Sequence, residues 1–163
     1  MEMDSTSSEF DIWRDSPLRL CGYANEVGEA FRPIFPKYVM PSYGVAFGYC
    51  AGDTIDKASI MYRNSNLKDK HRNHVIALCC FDTLLWQSLA SVFIPGFTIN
   101  QVVKATQFGM NRLSIAQVGA KRFVPTAVGL SVIPAIIKPI DNFVDYMLNN
   151  GVRPYYPDYY KVL

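Results

Sequence analysis

The sequence predicts an all-α protein, a small multi-pass membrane bundle with proline-bent spans and amphipathic interfacial helices. Three observations carry that reading. Apolar stretches recur four times along the 163 residues, separated by basic segments. One of them, "HVIALCCFDTLLWQSLASVFIPGFTIN" from His74 to Asn100, carries a single formal charge, Asp82, and a run of more than about 18 such residues is long enough to cross a bilayer. Hydrophobic residues make up 50% and charged ones only 18%, which is apolar for a soluble domain, yet the mean hydropathy is barely above zero. The buried helix of a soluble all-helical adaptor leaves a similar trace, so that alternative stands beside the membrane one. The length suits a single domain, residues 1–163, and not two large ones.

The N-terminus, "MEMDSTSSEFDIWRD", is acidic and has no arginine before Arg14. Residues 1–16 read as a flexible tail. A cleaved mitochondrial presequence, which is arginine-rich and acid-poor, is not expected there, nor is a secretory leader with its apolar centre. Asp15 and Ser16 are capping residues and Pro17 suits a first helical position, so an amphipathic helix is expected over 17–32. Leu20, Tyr23, Val27, Ala30 or Phe31 and Ile34 share one face, while Arg19, Asn25, Glu26, Glu29 and Arg32 gather on the other and are expected to meet polar groups. Gly22 and Gly28 each cost about 1 kcal/mol in a helix interior. Close approach by another helix or by lipid headgroups would explain them.

The first candidate span is 34–55, if Lys37 snorkels and Asp53 lies near the far surface. Pro36 and Pro41 fall in its early turns and predict a bend. Residues 56–73 read as a solvated basic loop, with Lys57, Arg63, Lys68, Lys70 and Arg72 against Asp56 and Asp69. The second span, 74–96, offers Ser88, Ala90 and Ser91 for helix contact and is expected to bend or end at Pro95 and Gly96. Residues 97–118 place Lys104 and Arg112 among apolar residues, which predicts an amphipathic helix along the interface. The third span, 123–140, is short and carries Pro125, Pro134 and Pro139; from Phe123 to Ile137 it covers about 22 Å of helix, so Lys138 must snorkel or the bilayer must thin. Three crossings are expected, with four or a re-entrant segment as alternatives. "SVFIPGFTIN" at 91–100 and "SVIPAIIKPID" at 131–141 echo one another and would suit two helices with matching proline breaks. Positive charge does not orient the bundle, since one side would hold seven lysines and arginines and the other eight.

Asp82 is the sharpest residue, because a carboxylate in "ALCCFDTLLWQ" must be paired, protonated or facing water. Asp53 and Asp82 together are the candidate intramembrane polar site, and a small channel- or carrier-like component is the function they would serve. A structural hydrogen bond is the plainer reading of Asp82. His71 and His74 form H-x-x-H without further ligands at metal-site spacing, and Cys21, Cys50, Cys79 and Cys80 include no C-x-x-C, so no metal site is expected. There is no nucleophile elbow, Walker loop or dinucleotide fingerprint. No enzyme, catalytic residue or cofactor is therefore expected, and a net charge of +2 gives no general pull toward nucleic acid. The tail "RPYYPDYYKVL" suits an aromatic interfacial anchor.

Three blocks, "GYANEVGEAFRPIFP", "DTLLWQSLASVFIPGFTIN" at 82–100 and "IIKPIDNFVDYML" at 136–148, resemble in order the signatures of the mitochondrial fission process protein 1 family. The resemblance implies an integral multi-pass protein of the mitochondrial inner membrane, needed for fission and organelle shape, imported by internal signals. It implies no catalytic residue, cofactor or small-molecule substrate. Its partners would be the lipid bilayer and other inner-membrane proteins or further copies of the chain. The blocks point to Gly22, Asn25, Glu26, Gly28, Glu29, Asp82, Trp86, Pro95, Gly96, Asn100, Pro139 and Asp141 as positions that the shared architecture uses.

Overall fold

Residues 12–64, 69–113 and 118–157 are described by the computed structural model. Every regular element among them is helical. Three short helices come first: α1 (Ile12–Asp15), α2 (Arg19–Gly22) and α3 (Ala24–Ala30). The expected helix over 17–32 is thus broken at Tyr23, whose backbone (φ −96°, ψ 9°) leaves the helical region. A 3-10 turn at Pro36–Tyr38 leads into α4 (Val39–Asn64). Pro36 begins that turn and Pro41 lies in the first turn of α4, where no intrahelical donor is lost.

The described residues of the basic segment 56–73 are helical, not a loop. Helix α4 runs on through it to Asn64, and α5 (Asp69–Gln87) begins inside it. Helix α5 passes through a π-helical segment, Ser88–Phe93, straight into α6 (Ile94–Arg112). The helix therefore does not end at Pro95 and Gly96, and 74–96 and 97–112 form one continuous helix. A proline removes one N–H and its ring crowds the carbonyl four residues back. The wider π turn just before Pro95 accommodates both effects without ending the helix. Helix α7 (Val118–Gly151) likewise extends well past the expected 123–140, with Pro125, Pro134 and Pro139 inside it, and a 3-10 turn at Arg153–Tyr155 follows. The echo around Pro134 is not matched in structure, because that stretch of α7 stays α-helical.

Two of these helices are long and apolar enough to cross a membrane, 72–112 with 41 residues and 121–155 with 35. At 1.5 Å per residue the first is about 60 Å long. It serves as the mast of the fold. Helix α4 packs along its first half, where Ala46, Tyr49 and Cys50 meet Val92. Helix α7 packs from its middle into its second half, where Ile140, Val144 and Leu148 meet Trp86 and Ala90 and where Leu130 and Ile133 lie against the cluster of Ile99 and Val103. Helix α3 fills the space where the two halves meet, with Ala30 against Ile99 and Val103. Its central position brings the first block of the chain into contact with the other two.

Candidate functional site

Helix α3 buries the face that its sequence marks as polar. Asn25, Glu26 and Glu29 are all 2% exposed or less, while Leu20 and Val27 lie on the surface. Residues 25 and 29 are one turn apart and so point the same way. The Asn25 amide donates to the Val92 carbonyl at 3.0 Å, an oxygen that belongs to the π turn. The Glu29 carboxylate accepts from the Asn100 amide at 2.7 Å, from the Tyr43 hydroxyl at 3.0 Å and from Nε and Nη2 of Arg32, each at 2.7 Å. Burial alone would push this carboxyl up, but those bonds outweigh it and hold Glu29 below the usual carboxylate range.

Glu26 is the opposite case. Neither carboxylate oxygen has a hydrogen-bond partner, and burial, aided by the Asp141 carboxylate, pushes the group up to about 8. It is the protonated member of a layer whose other glutamate is ionised.

Such a layer needs close helix contact, and the glycines permit it. A Cβ on Gly28 would stand 1.9 Å from Ser42 Oγ and 2.8 Å from Ser42 Cβ. A Cβ on Gly96 would stand 2.7 Å from the Tyr43 hydroxyl and 2.9 Å from Asn25 Nδ2, where no side chain fits. A Cβ on Gly22 would stand 3.0 Å from the Tyr49 ring. Arg19 reaches Asp141 on α7 at 3.1 Å, closing the layer on its other side.

Asp53 and Asp82 do not share a site. Asp53, fully buried on α4, pairs with Lys57 at 2.9 Å and accepts from the Gln87 amide. Asp82 takes a two-pronged contact from Arg153, at 3.0 and 2.9 Å, and accepts from the Tyr156 hydroxyl at 2.9 Å. Asp145 joins the second group, accepting from Trp86 Nε1 at 2.9 Å. The C-terminal segment through Tyr156 thus folds back on α5, and the rest of the tail lies outside the described residues. Pro139 is an exposed position within α7.

Sequence reasoning singled out Asn25, Glu29, Gly96 and Asn100 without joining them, and it missed Tyr43, Gln87 and Arg153 as partners. Gln87, a lone amide in an apolar run, was the visible clue to a polar contact. Among the described residues no group of three histidines, cysteines or acids is placed to hold a metal ion. His74 is exposed, and the His71 side chain lies outside the described residues. Cys50 and Cys79 are buried and unpaired by disulfides, which suits packing thiols.

Fold and layer together define a small all-α protein with two helices able to cross a membrane and a hydrogen-bonded carboxylate layer where its helices meet. The chain belongs to the Mitochondrial 18 KDa protein (MTP18) family, whose model matches residues 12–148. It is 42% identical to mitochondrial fission process protein 1 of Danio rerio over 158 residues, covering 95% of this chain and 94% of that one. The protein of the same name from Homo sapiens is 41% identical over 157 residues, with coverage of 96% and 94%, and that from Caenorhabditis briggsae is 41% identical, with 94% and 97%. No solved structure matches the chain.

Proposed function

We propose that this protein is a non-enzymatic integral component of the mitochondrial inner membrane that acts in mitochondrial fission and organelle shape through helix contacts with other membrane proteins or with further copies of itself. One observation carries the membrane part: large apolar side chains cover the exterior while several polar groups lie buried among the helices. Asn25, Glu26, Glu29, Asp53 and Gln87 are buried, while Met40, Phe93, Phe97, Phe108 and Phe123 are each more than half exposed. Water would penalise the apolar exterior, whereas lipid favours it and leaves the interior as the place where Asn25, Glu29, Asp53 and Gln87 find polar partners. The mitochondrial and fission parts rest on the names of the relatives.

The 72–112 and 121–155 helices are the proposed crossings, with α4 and α3 packed against them. The channel-like alternative has less support, because Asp53 and Asp82 each have a cationic partner of their own. The test is alkaline carbonate extraction of purified mitochondria, with protease protection read from tags at Met1 and Leu163. Resistance to extraction, with protection until the outer membrane is opened, is the expected result. Release into the carbonate supernatant would sink the membrane reading and favour the soluble adaptor.

A further inference from the structure

The bonds that satisfy Glu29 leave Glu26 out, and a polar cavity of about 130 Å³ lies close to it, between α2, α4, α5, the π turn and α7. A water molecule needs only about 10–15 Å³ of such space, so several fit. The walls suit water, since Arg19, Tyr23, Gln87, Ser91, Asp141 and Asp145 all line them. The side chains of Arg19, Asp141 and Asp145 are between 25% and 49% exposed, so the cavity reaches the surface there. Glu26 is 1% exposed, and neither of its oxygens has a partner. It does not line the cavity, but Tyr23 and Asp141 do, and both feel its charge. The third titratable group that feels it is Tyr43 on α4. From α6 the layer is met by the Asn100 amide, which is held by Glu29.

We infer that Glu26 is an exchangeable proton site, which loads and unloads through water in this cavity by way of Asp141, with Arg19 at the mouth. The transfer conserves one proton throughout. The protonated Glu26 carboxyl gives it to the Asp141 carboxylate and becomes an anion, and Asp141 passes it to a cavity water, which carries it out past Arg19 as hydronium. Loading runs the same path in reverse. A proton resting on Asp141 costs the 3.1 Å ion pair with Arg19, so Asp141 passes it on and does not keep it. Proton transfer works across a hydrogen bond or through one bridging water, and a buried acid, a carboxylate in the cavity wall and water beyond it stand in the order that such a relay needs. Burial raises the Glu26 carboxyl to about 8, so both loading and release fall within the range that a folded protein meets. The inference does not depend on the membrane reading.

The test follows the carboxylic acid C=O band of the full chain in a non-ionic detergent by infrared spectroscopy, in H2O and after transfer to D2O. The expected result is a band that is present well below pH 8, fades above it and is missing from Glu26→Gln. In D2O it should shift at least tenfold faster than the slowest backbone amides exchange. Ser91→Leu, which fills the cavity, and Asp141→Asn, which removes the relay, should each keep the band and slow its shift at least tenfold. Asp141→Asn should also lower the pH at which the band fades, because a negative neighbour is gone. Where Ser91→Leu does not fold, Asp141→Asn, at a part-exposed position, carries the kinetic readout alone. A spectrum without the Glu26 band below pH 8 overturns the inference. So does a shift no faster than the slowest amides, since the proton would then leave only when the bundle opens. A shift rate unchanged by either substitution puts the path elsewhere and overturns the relay.

Discussion

Glu26→Gln should raise stability, and by an amount that depends on pH. The native carboxyl is raised to about 8 from an ordinary 4.5, because both oxygens are buried without partners and Asp141 faces it from α7. Tyr23 on the hinge before α3 and Tyr43 on α4 are the other titratable groups that feel its charge. Folding therefore takes up a proton wherever the pH lies between those two values. The stability associated with that proton is complete below about 4.5 and is lost as the pH rises to about 8, at roughly 1.4 kcal/mol per pH unit, or about 5 kcal/mol in all.

Glutamine keeps the shape and never ionises. The variant should match the wild type near pH 4.5 and gain on it steadily up to pH 8. For a chain of this size 1 kcal/mol moves Tm by roughly 2–4 °C. The difference in Tm between variant and wild type should then widen by about 10 °C from pH 5 to pH 8, read by thermal unfolding in detergent. Parallel Tm profiles, or a variant that falls behind at pH 8, would refute the idea that Glu26 is a protonated, unpartnered carboxyl.

Three further substitutions probe the contacts around it. Gly28→Ala should cost about 1–3 kcal/mol through its clash with Ser42, Ser42→Gly should recover most of that loss, and Gly44→Ala, which meets open space inside α4, should gain up to about 1 kcal/mol and raise Tm slightly. Asn100→Leu removes one donor to Glu29 and should cost about 1.5–3 kcal/mol, the range for a bond to a charged group, with a smaller loss when Glu29 is already Gln. Asp82→Asn and Arg153→Gln should be non-additive, with a coupling of about 0.5–3 kcal/mol in a double-mutant cycle of unfolding. If Asp82→Asn instead changes ion leak in reconstituted vesicles while stability is untouched, the structural reading of that pair fails.

Helix content was legible throughout, because three-to-four spacing and long apolar runs are local signals. Boundaries were less so, and the reasons differ by element. Pro95 reads as a stop because the cost of a proline is a property of the residue, but the π turn that absorbs it draws on Asn25, 67 residues away along the chain. The basic stretch 56–73 reads as a loop by charge. Most of it is helix, since lysine and arginine are good helix formers when their side chains reach out of the bundle.

The harder question was the orientation of α3, which the sequence left open. Periodicity gives the angle between a polar and an apolar face, but it does not say which face meets the core, because that depends on what surrounds the protein. The clue lay in chemistry, not period. A solvated polar face tolerates any mixture of charges, whereas this one carries Asn25 and Glu29 one turn apart beside Gly22 and Gly28, residues that a solvent-facing surface has no use for. Glycines on the same stretch as carboxylates and an amide signal that backbone approaches those groups closely, and close approach is what satisfies them once buried. Asn100 and Gly96 repeat the pairing on α6. Two glycine-and-amide stretches in one apolar chain were therefore complementary halves of one contact.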